Sequence, residues 1–281
     1  MSRVVVLGCG PAGLAAAAAA VGSGHEAILI SSTDKPSPIY GCQYLHAPIP
    51  GYEKVPAVPV HYVLKGTPEG YRKKVYGEDW EGKVSPEDFV GEHTAWDIRE
   101  TYRRLWADLI ESLAVALIKR RVVRGMIPHI RSLRPDLIVS TIPVSALCED
   151  PRHEFRTMMI FANGATEPDI YDDNTVVCDG TDETNWYRMS NVFGYRTTEW
   201  PGTRMPPTSS KAVPVTKPLS TTCNCHQEVL RVGRYGTWTK ARLVHEVYPA
   251  VLAALGERER LIRGVERVTG ETYEGDGTWR M

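Results

Sequence analysis

Three glycines near the amino terminus carry the clearest chemistry in the chain. Gly8-Cys9-Gly10-Pro11-Ala12-Gly13 has the spacing G-x-G-x-x-G, which suits a phosphate cradle. Gly8 permits a tight turn, Gly10 lets the backbone approach a pyrophosphate, and Gly13 allows a helix to pack closely on a strand. The helix that follows turns its N–H groups and positive dipole end toward the anion, with Pro11 and Ala12 in contact with the bound group. The acidic residue that usually ends the second strand and holds ribose hydroxyls is replaced by Ser31-Ser32, and a serine can still hydrogen-bond a ribose. A second glycine turn, Gly233-Arg234-Tyr235-Gly236-Thr237, opens another helix, whose N-terminus can stabilise negative charge on a phosphate or a reduced ring. Between the two turns, the loop from Ile39 to His46 is dense in groups able to stack on or hydrogen-bond a planar ring. An ordinary tyrosine-rich loop is equally open there. Arg196 and Glu199 lie in an aromatic run, Trp186 to Trp200, that reads as the wall of a site. Tyr44, His46, Arg196 and Glu199 are the candidates for the substrate side.

These residues need a parallel sheet to hold them. Val4-Val5-Val6-Leu7 reads as a strand covered on both faces, and Leu14 to Ala20 as a helix with small side chains. Glu26 to Ile30, Pro135 to Pro143 and Glu228 to Val232 supply further strands. From Thr33 to about Val84 the chain leaves the nucleotide fold, with Ala57 to Leu64 strand-like. Ser85-Pro86-Glu87-Asp88 reads as a helix start. Ile98, Tyr102, Leu105, Leu109 and Leu113 recur at three and four, which predicts one helix from about Thr94 to Lys119. Trp96, Arg99, Arg103 and Arg104 border that stripe, most simply as a surface rim and alternatively facing substrate. His153 to Ile160 and Thr175 to Cys178 read as strands of a second sheet, Trp186 to Trp200 as one strand, and residues 201–218, with five prolines, as an exposed loop. A last helix spans about Lys240 to Leu255, kinked at Pro249, and the tail beyond Gly270 is expected to fray. The expected class is α/β: a Rossmann-type nucleotide-binding domain over 1–35, 122–148 and 225–281, interleaved with a smaller substrate-facing sheet and a short helical insertion over 36–121 and 149–224.

Composition narrows the partners. The 281 residues are 42% hydrophobic, and 33 basic against 34 acidic side chains leave a formal charge of −1, which gives no reason to expect nucleic acid or an anionic membrane. Charge is uneven, however. Lys119, Arg120, Arg121, Arg124, Arg131 and Arg134 fall between Ala114 and Pro135 without an acidic residue, which fits either a solvated surface or a site for an anionic substrate, nucleotide-sugar or nucleic acid. No run reaches the roughly 18 apolar residues of a membrane span. Residues 3–21 imitate a signal peptide, but cleavage there would remove the glycine turn, so a cytoplasmic protein is expected. The six cysteines, Cys9, Cys42, Cys148, Cys178, Cys223 and Cys225, show no disulfide framework and are expected to be reduced. Cys223-Asn224-Cys225-His226 lacks a second ligand pair at sensible spacing, so no metal is expected.

The order of these pieces resembles the FAD-binding amine-oxidase-like flavoproteins. Within them it is most similar to the UDP-galactopyranose mutase family. Tyr40-Gly41 and His46 resemble that family's histidine loop beside the flavin. Gly194-Tyr195-Arg196-Thr197-Thr198-Glu199 resembles its tyrosine/phenylalanine–Thr–Arg–x–x–Glu strand, and Gly233-Arg234-Tyr235-Gly236-Thr237 its Gly-Arg-Leu-Gly-Thr turn. The resemblance implies FAD as cofactor, with Gly41 beside the flavin and Arg234, Tyr235 and Thr237 near its phosphate and pyrimidine side. The chain is shorter than those mutases in the helical substrate domain. Three activities follow as expectations: an FAD-dependent oxidoreductase taking hydride from a C–N or C–O bond of a small or nucleotide-like substrate, a non-redox mutase acting on a nucleotide-sugar, or a flavoprotein of phage DNA-base modification. A flavin-binding component of a larger complex, with little turnover of its own, is a further alternative.

Overall fold

The computed structural model describes residues 2–41, 44–78, 90–163, 172–204, 206, 211–240, 242–256, 272–273 and 279–280. The helix start expected at Ser85 and most of the tail lie outside them. In chain order the elements are β1 (Arg3–Leu7), α1 (Pro11–Gly22), β2 (Glu26–Ser31), β3 (Ala57–Lys65), α2 (Pro68–Tyr76), β4 (Gly91–Trp96) and α3 (Ile98–Trp106). There follow β5 (Ala116–Lys119), α4 (Ile127–Arg131), β6 (Leu137–Ser140), β7 (Phe155–Ala162), β8 (Thr175–Asp179), β9 (Arg188–Val192) and β10 (Tyr195–Pro201). The last are β11 (Val213–Thr221), β12 (Val229–Arg231), α5 (Gly233–Thr237), α6 over 247–256, and the two-residue strands β13 (Thr272–Tyr273) and β14 (Trp279–Arg280), which pair antiparallel.

The first sheet is parallel throughout, in the order β12-β6-β1-β2-β5. Alternation along β1 sorts its side chains to two layers. Val4 and Val6 join a core with α1, α3 and α6, whereas Val5 and Leu7 face Met126, Ile127 and Ile130 at α4. The run Leu14 to Ala20 is buried on every side, so α1 is wedged between the sheet and its neighbours and its small side chains set the close approach.

The second sheet, β11-β7-β10-β9-β8-β3-β4, is antiparallel except where β3 runs beside β8. It is the expected smaller sheet, with α2 on one face through Tyr71 and Val75.

Several expectations change. The periodic stripe from Ile98 to Leu109 is buried, but Asp97 caps α3 by accepting from the amides of Arg99 and Glu100, so the helix begins there and Gly91–Trp96 is a strand. A π-helical turn, Ala107–Glu111, extends α3, and Leu113, at φ 61° and 86% exposed, ends it. β5 then pairs with β2, so Ala116–Lys119 belongs to the parallel sheet although it falls within the 36–121 segment expected to face substrate. The Trp186 to Trp200 run is a hairpin of β9 and β10 turning at Phe193-Gly194, both at positive φ. Pro214 and Pro218 sit in β11, an edge strand where a missing N–H is tolerated. Pro249 lies in the first turn of α6, where it breaks no helical hydrogen bond.

Candidate functional site

The glycine turn stands at the carboxyl ends of β1, β2, β6 and β12, the position where open α/β sheets bind ligands. Gly8 adopts φ 102°, donates to Ile30 O at 2.9 Å, and has Thr141 against it: a Cβ there would lie 2.7 Å from Thr141 Oγ1. Thr141 in turn donates through its hydroxyl to Leu7 O at 2.9 Å. Gly13 is tighter still, since a Cβ on it would fall 1.9 Å from the Gly8 carbonyl oxygen. Gly10 differs from both. A Cβ there would meet nothing within 4 Å, and Gly10 is the N-cap of α1 with no side-chain cap. Pro11 and Ala12 form the first turn of that helix, so its N-terminal backbone borders open space.

The second turn packs directly on the first. Gly233, at φ 69°, would bring a Cβ to 3.2 Å from the Ala12 Cβ, and Gly236 would bring one to 2.3 Å from Ser140 O. Glycine is therefore required at both for α5 to lie against β6 and α1. Thr237 spends its hydroxyl on Gly233 O at 2.7 Å, and Tyr235 spends its own on Thr216 O at 2.9 Å, tying the turn to β11. Arg234 is half-buried. Burial and then the neighbouring Arg188 lower its pKa from the ordinary arginine value.

The two serines expected at the ribose have separate fates. Ser31 is buried and accepts from Cys9 Sγ at 2.9 Å and from Thr33 N at 3.3 Å, so it braces the first turn. Ser32 is exposed. Burial pushes the Cys9 thiol up. Tyr102, read from the sequence only as a core position, closes this end of the site: its hydroxyl donates to Cys9 O at 2.9 Å and accepts from Ser37 N at 3.2 Å. Arg99 leaves the surface rim to which Arg103 and Arg104 belong through Glu100. It stacks 4.1 Å over the Tyr195 ring and donates to Ile39 O and Gly41 O, while Gly41 N donates to Asn163 Oδ1 at 3.2 Å. The tyrosine-rich loop is thus fastened to both sheets.

Tyr44 and His46 come together, ring centroids 4.9 Å apart, with His245 5.9 Å beyond His46 and the Tyr44 hydroxyl 2.5 Å from that of Tyr62. Burial lowers the pKa of His245 from the ordinary histidine value. Arg196 and Glu199 do not join them as a pair. Three residues apart on β10, they point to opposite faces, Arg196 exposed and Glu199 buried. Glu199 instead meets Arg188, its cross-strand neighbour, at 2.5 Å, Lys217 at 3.2 Å and the Tyr187 hydroxyl, which donates to it. Burial alone would raise the Glu199 carboxyl; Arg188 and Lys217 outweigh it and hold it well below the usual carboxylate range. Burial lowers Lys217 to about 8 in spite of Glu199, with Arg188 and Arg234 also opposing its charge. Three cations thus gather about one carboxylate beside the second turn. Arg188 and Lys217 were missed in the sequence because only the strand register brings them to Glu199.

A groove of about 520 Å³ runs along the end of α2, lined by Lys73, Tyr76, Arg156, Met158 and Thr203 among others. The Tyr76 ring lies 4.6 Å beneath Lys240 Nζ, just past α5, which joins the groove to the second turn. The basic stretch is partly neutralised, Lys119 by Asp34 at 2.9 Å and Arg131 by Glu228 at 2.6 Å. No described helix is long and apolar enough to cross a membrane.

No protein-family model matches the chain, and no curated protein sequence does. Solved structures share the fold at low identity. MibH, a lathipeptide tryptophan 5-halogenase, superposes with a TM-score of 0.54 at 13% identity, over 91% of this chain and 66% of its own. PqsL, described as a probable FAD-dependent monooxygenase from Pseudomonas aeruginosa, gives 0.51 at 12% identity over 95% and 91%. CmlS, a flavin-dependent halogenase, gives 0.50 at 12% identity over 95% and 58%, so this chain spans less than two thirds of either halogenase. None of these three is an amine-oxidase-like flavoprotein or a UDP-galactopyranose mutase. The fold of this chain is the Rossmann-type α/β fold of FAD-binding flavoenzymes.

Proposed function

We propose that the chain binds FAD where the Gly8–Gly13 and Gly233–Thr237 turns meet, and acts as a flavin-dependent oxidoreductase on a small or nucleotide-like substrate. The contact of Gly233 with Ala12 carries this reading: it fuses two helix N-termini into one cradle at the strand ends, with Gly10 bordering open space. The fold shared with a probable FAD-dependent monooxygenase and with halogenases supports it. Bound flavin supplies two-electron chemistry that no side chain provides. In this reading the backbone at Gly10, Pro11, Ala12 and Gly13 holds the pyrophosphate, and Ser32 the ribose. Arg234, with Arg188 and Lys217 behind it, holds positive charge where the pyrimidine side of the ring would gain negative charge. Tyr44, His46 and the groove beside Tyr76 form the substrate side, with Arg156 and Lys73 favouring an anionic group. Glu199 and Arg196 are reassigned, the first to holding Lys217 and Arg188 in place and the second to the surface. The specific reaction proposed is removal of hydride from a C–N or C–O bond.

The test is an absorbance spectrum of the purified protein, then anaerobic titration with amines and nucleotides and readmission of air. Flavin bands bleached by substrate and restored by oxygen support the proposal. Conversion of a nucleotide-sugar only by dithionite-reduced protein, without net reoxidation, replaces it with the mutase reading; a colourless protein that takes up no added FAD overturns it.

A further inference from the structure

The crossings between the two sheets bring four metal-ligating side chains to one point. Cys148 follows β6 and His153 precedes β7; Cys223 and Cys225 lie between β11 and β12. Their ligand atoms all fall within 4.8 Å of one another. Cys148 Sγ is 3.3 Å from His153 Nδ1 and 4.0 Å from Cys225 Sγ, and Cys225 Sγ is 3.6 Å from His153 Nδ1. A tetrahedral zinc with bonds of about 2.3 Å to sulfur and about 2.05 Å to nitrogen requires S···S edges of about 3.8 Å and S···N edges of about 3.6 Å. The edges among Cys148, His153 and Cys225 match these within a few tenths of an ångström, and Cys223 Sγ lies within 4.8 Å of each of the three ligand atoms. They do not match a disulfide, whose sulfurs lie about 2.05 Å apart, and all three cysteines are free.

The surroundings complete the site. Cys148 and Cys223 are buried with Val144 and Trp238, and Phe155 packs against the same cluster, which shields metal–thiolate bonds from water. The His153 nitrogen facing away from the sulfurs, Nε2, lies 3.9 Å from Asp150 Oδ2, and Asp150 is itself held by Arg152 at 2.7 Å. A carboxylate on the far side of the ring is the usual companion of a ligating histidine, and here it stands 3.9 Å away, without a direct hydrogen bond. Three thiolates around a dication leave one negative charge. The Arg231 guanidinium answers it, 3.7 Å from Cys223 Sγ and donating to the carbonyls of Cys223 and Cys225.

We propose that Cys148, His153, Cys223 and Cys225 form a structural zinc site clamping the two crossings between the sheets. Soft thiolate ligands with one imidazole select zinc among common divalent ions, and four protein ligands leave no open position for catalysis. The expectation of no metal rested on the absence of a second ligand pair near Cys223-x-Cys225. The fold supplies that pair from Cys148 and His153. Trp238, in the same cluster, directly follows α5, so the metal would also steady the Gly233–Thr237 turn.

The experiment uses the full chain expressed with zinc in the medium and purified without chelator. Elemental analysis is expected to give about one zinc per chain, and cobalt reconstitution to give thiolate charge-transfer and intense tetrahedral d–d bands. Cys148→Ser and Cys225→Ser should lose the bound zinc, whereas Cys178→Ala, in β8, should retain it. A chelator should lower the thermal midpoint of the wild type and leave that of the Cys225→Ser protein unmoved. Because the cobalt spectrum needs no variant, a misfolded mutant cannot mask the answer. Wild-type protein without zinc and without a cobalt band, or a disulfide among these cysteines in intact-mass analysis, overturns the proposal.

Discussion

The Gly13 backbone lies so close to the Gly8 carbonyl oxygen that a methyl group on Gly13 would sit 1.9 Å from it, while one on Gly10 would touch nothing within 4 Å. The same motif thus holds one glycine tightly packed and another facing open space. Gly13→Ala is expected to cost about 1–3 kcal/mol or more through overpacking, read as a lower urea midpoint. Gly10→Val, at the N-cap of α1, should lower the apoprotein's midpoint only modestly, by about 1 kcal/mol or less, and abolish FAD retention. A yellow Gly10→Val protein at full occupancy would falsify the assignment of that glycine to the pyrophosphate.

Glu199 is shared by Arg188 and Lys217, so the two sides of the network differ in what they leave behind. Glu199→Gln leaves two half-buried cations without their carboxylate and is expected to destabilise the protein by about 2–4 kcal/mol. Lys217→Met leaves Arg188 still paired and should cost far less. The pH dependence follows. Because the folded carboxyl titrates below its ordinary value of 4.5, its contribution is complete above pH 4.5 and is lost as pH falls toward the folded value. Lys217 also makes stability rise with pH, but by relief of a penalty: its charged form is penalised fully below about pH 8, and that cost is relieved between pH 8 and 10.5. Thermal midpoints from pH 3 to 7 should fall more steeply on the acid side for wild type than for Glu199→Gln; parallel curves would remove Glu199 from the acid response.

Tyr102→Phe isolates the hydroxyl that joins Cys9 O to Ser37 N. Leaving that buried carbonyl unpaired should cost about 1–3 kcal/mol. If the turn then loosens, FAD affinity falls as well, measurable by quenching of flavin fluorescence. Unchanged stability and affinity together would show that water replaces the hydroxyl without loss.

Leu113 offers an improvement. It is exposed and held at φ 61°, a conformation that glycine adopts without penalty, so Leu113→Gly should raise stability by up to about 1 kcal/mol. A lower midpoint in thermal denaturation would count against strain at this position.

What could be read from the sequence was local. The β1–turn–α1 unit is written in adjacent residues, because turn glycines and a small-residue helix act over a few positions. The period from Ile98 to Leu109 was equally visible, yet periodicity does not mark where a helix stops: Asp97 and Leu113 do that, by a side-chain cap and a positive φ. Arg196 and Glu199 lie close together along the chain, whereas Glu199 takes its partners from β9 and β11 through register. The same holds for Cys148 and Cys225, which only the two crossings bring together. Ser31 and Ser32 are indistinguishable as types; strand alternation turned one inward and left the other at the surface.

The parallel sheet places β6 between β1, which precedes it in the chain, and β12, which follows it only after β7 to β11. On the ribosome β6 therefore waits with one edge unpaired while β7 to β11 of the second sheet are synthesised, and the Gly233 turn arrives later still. An unpaired hydrophobic edge in a nascent chain invites association with other strands. Between the emergence of β6 and that of β12 this edge of the sheet has no partner from its own chain, and slowing translation after Ser140 would lengthen that interval.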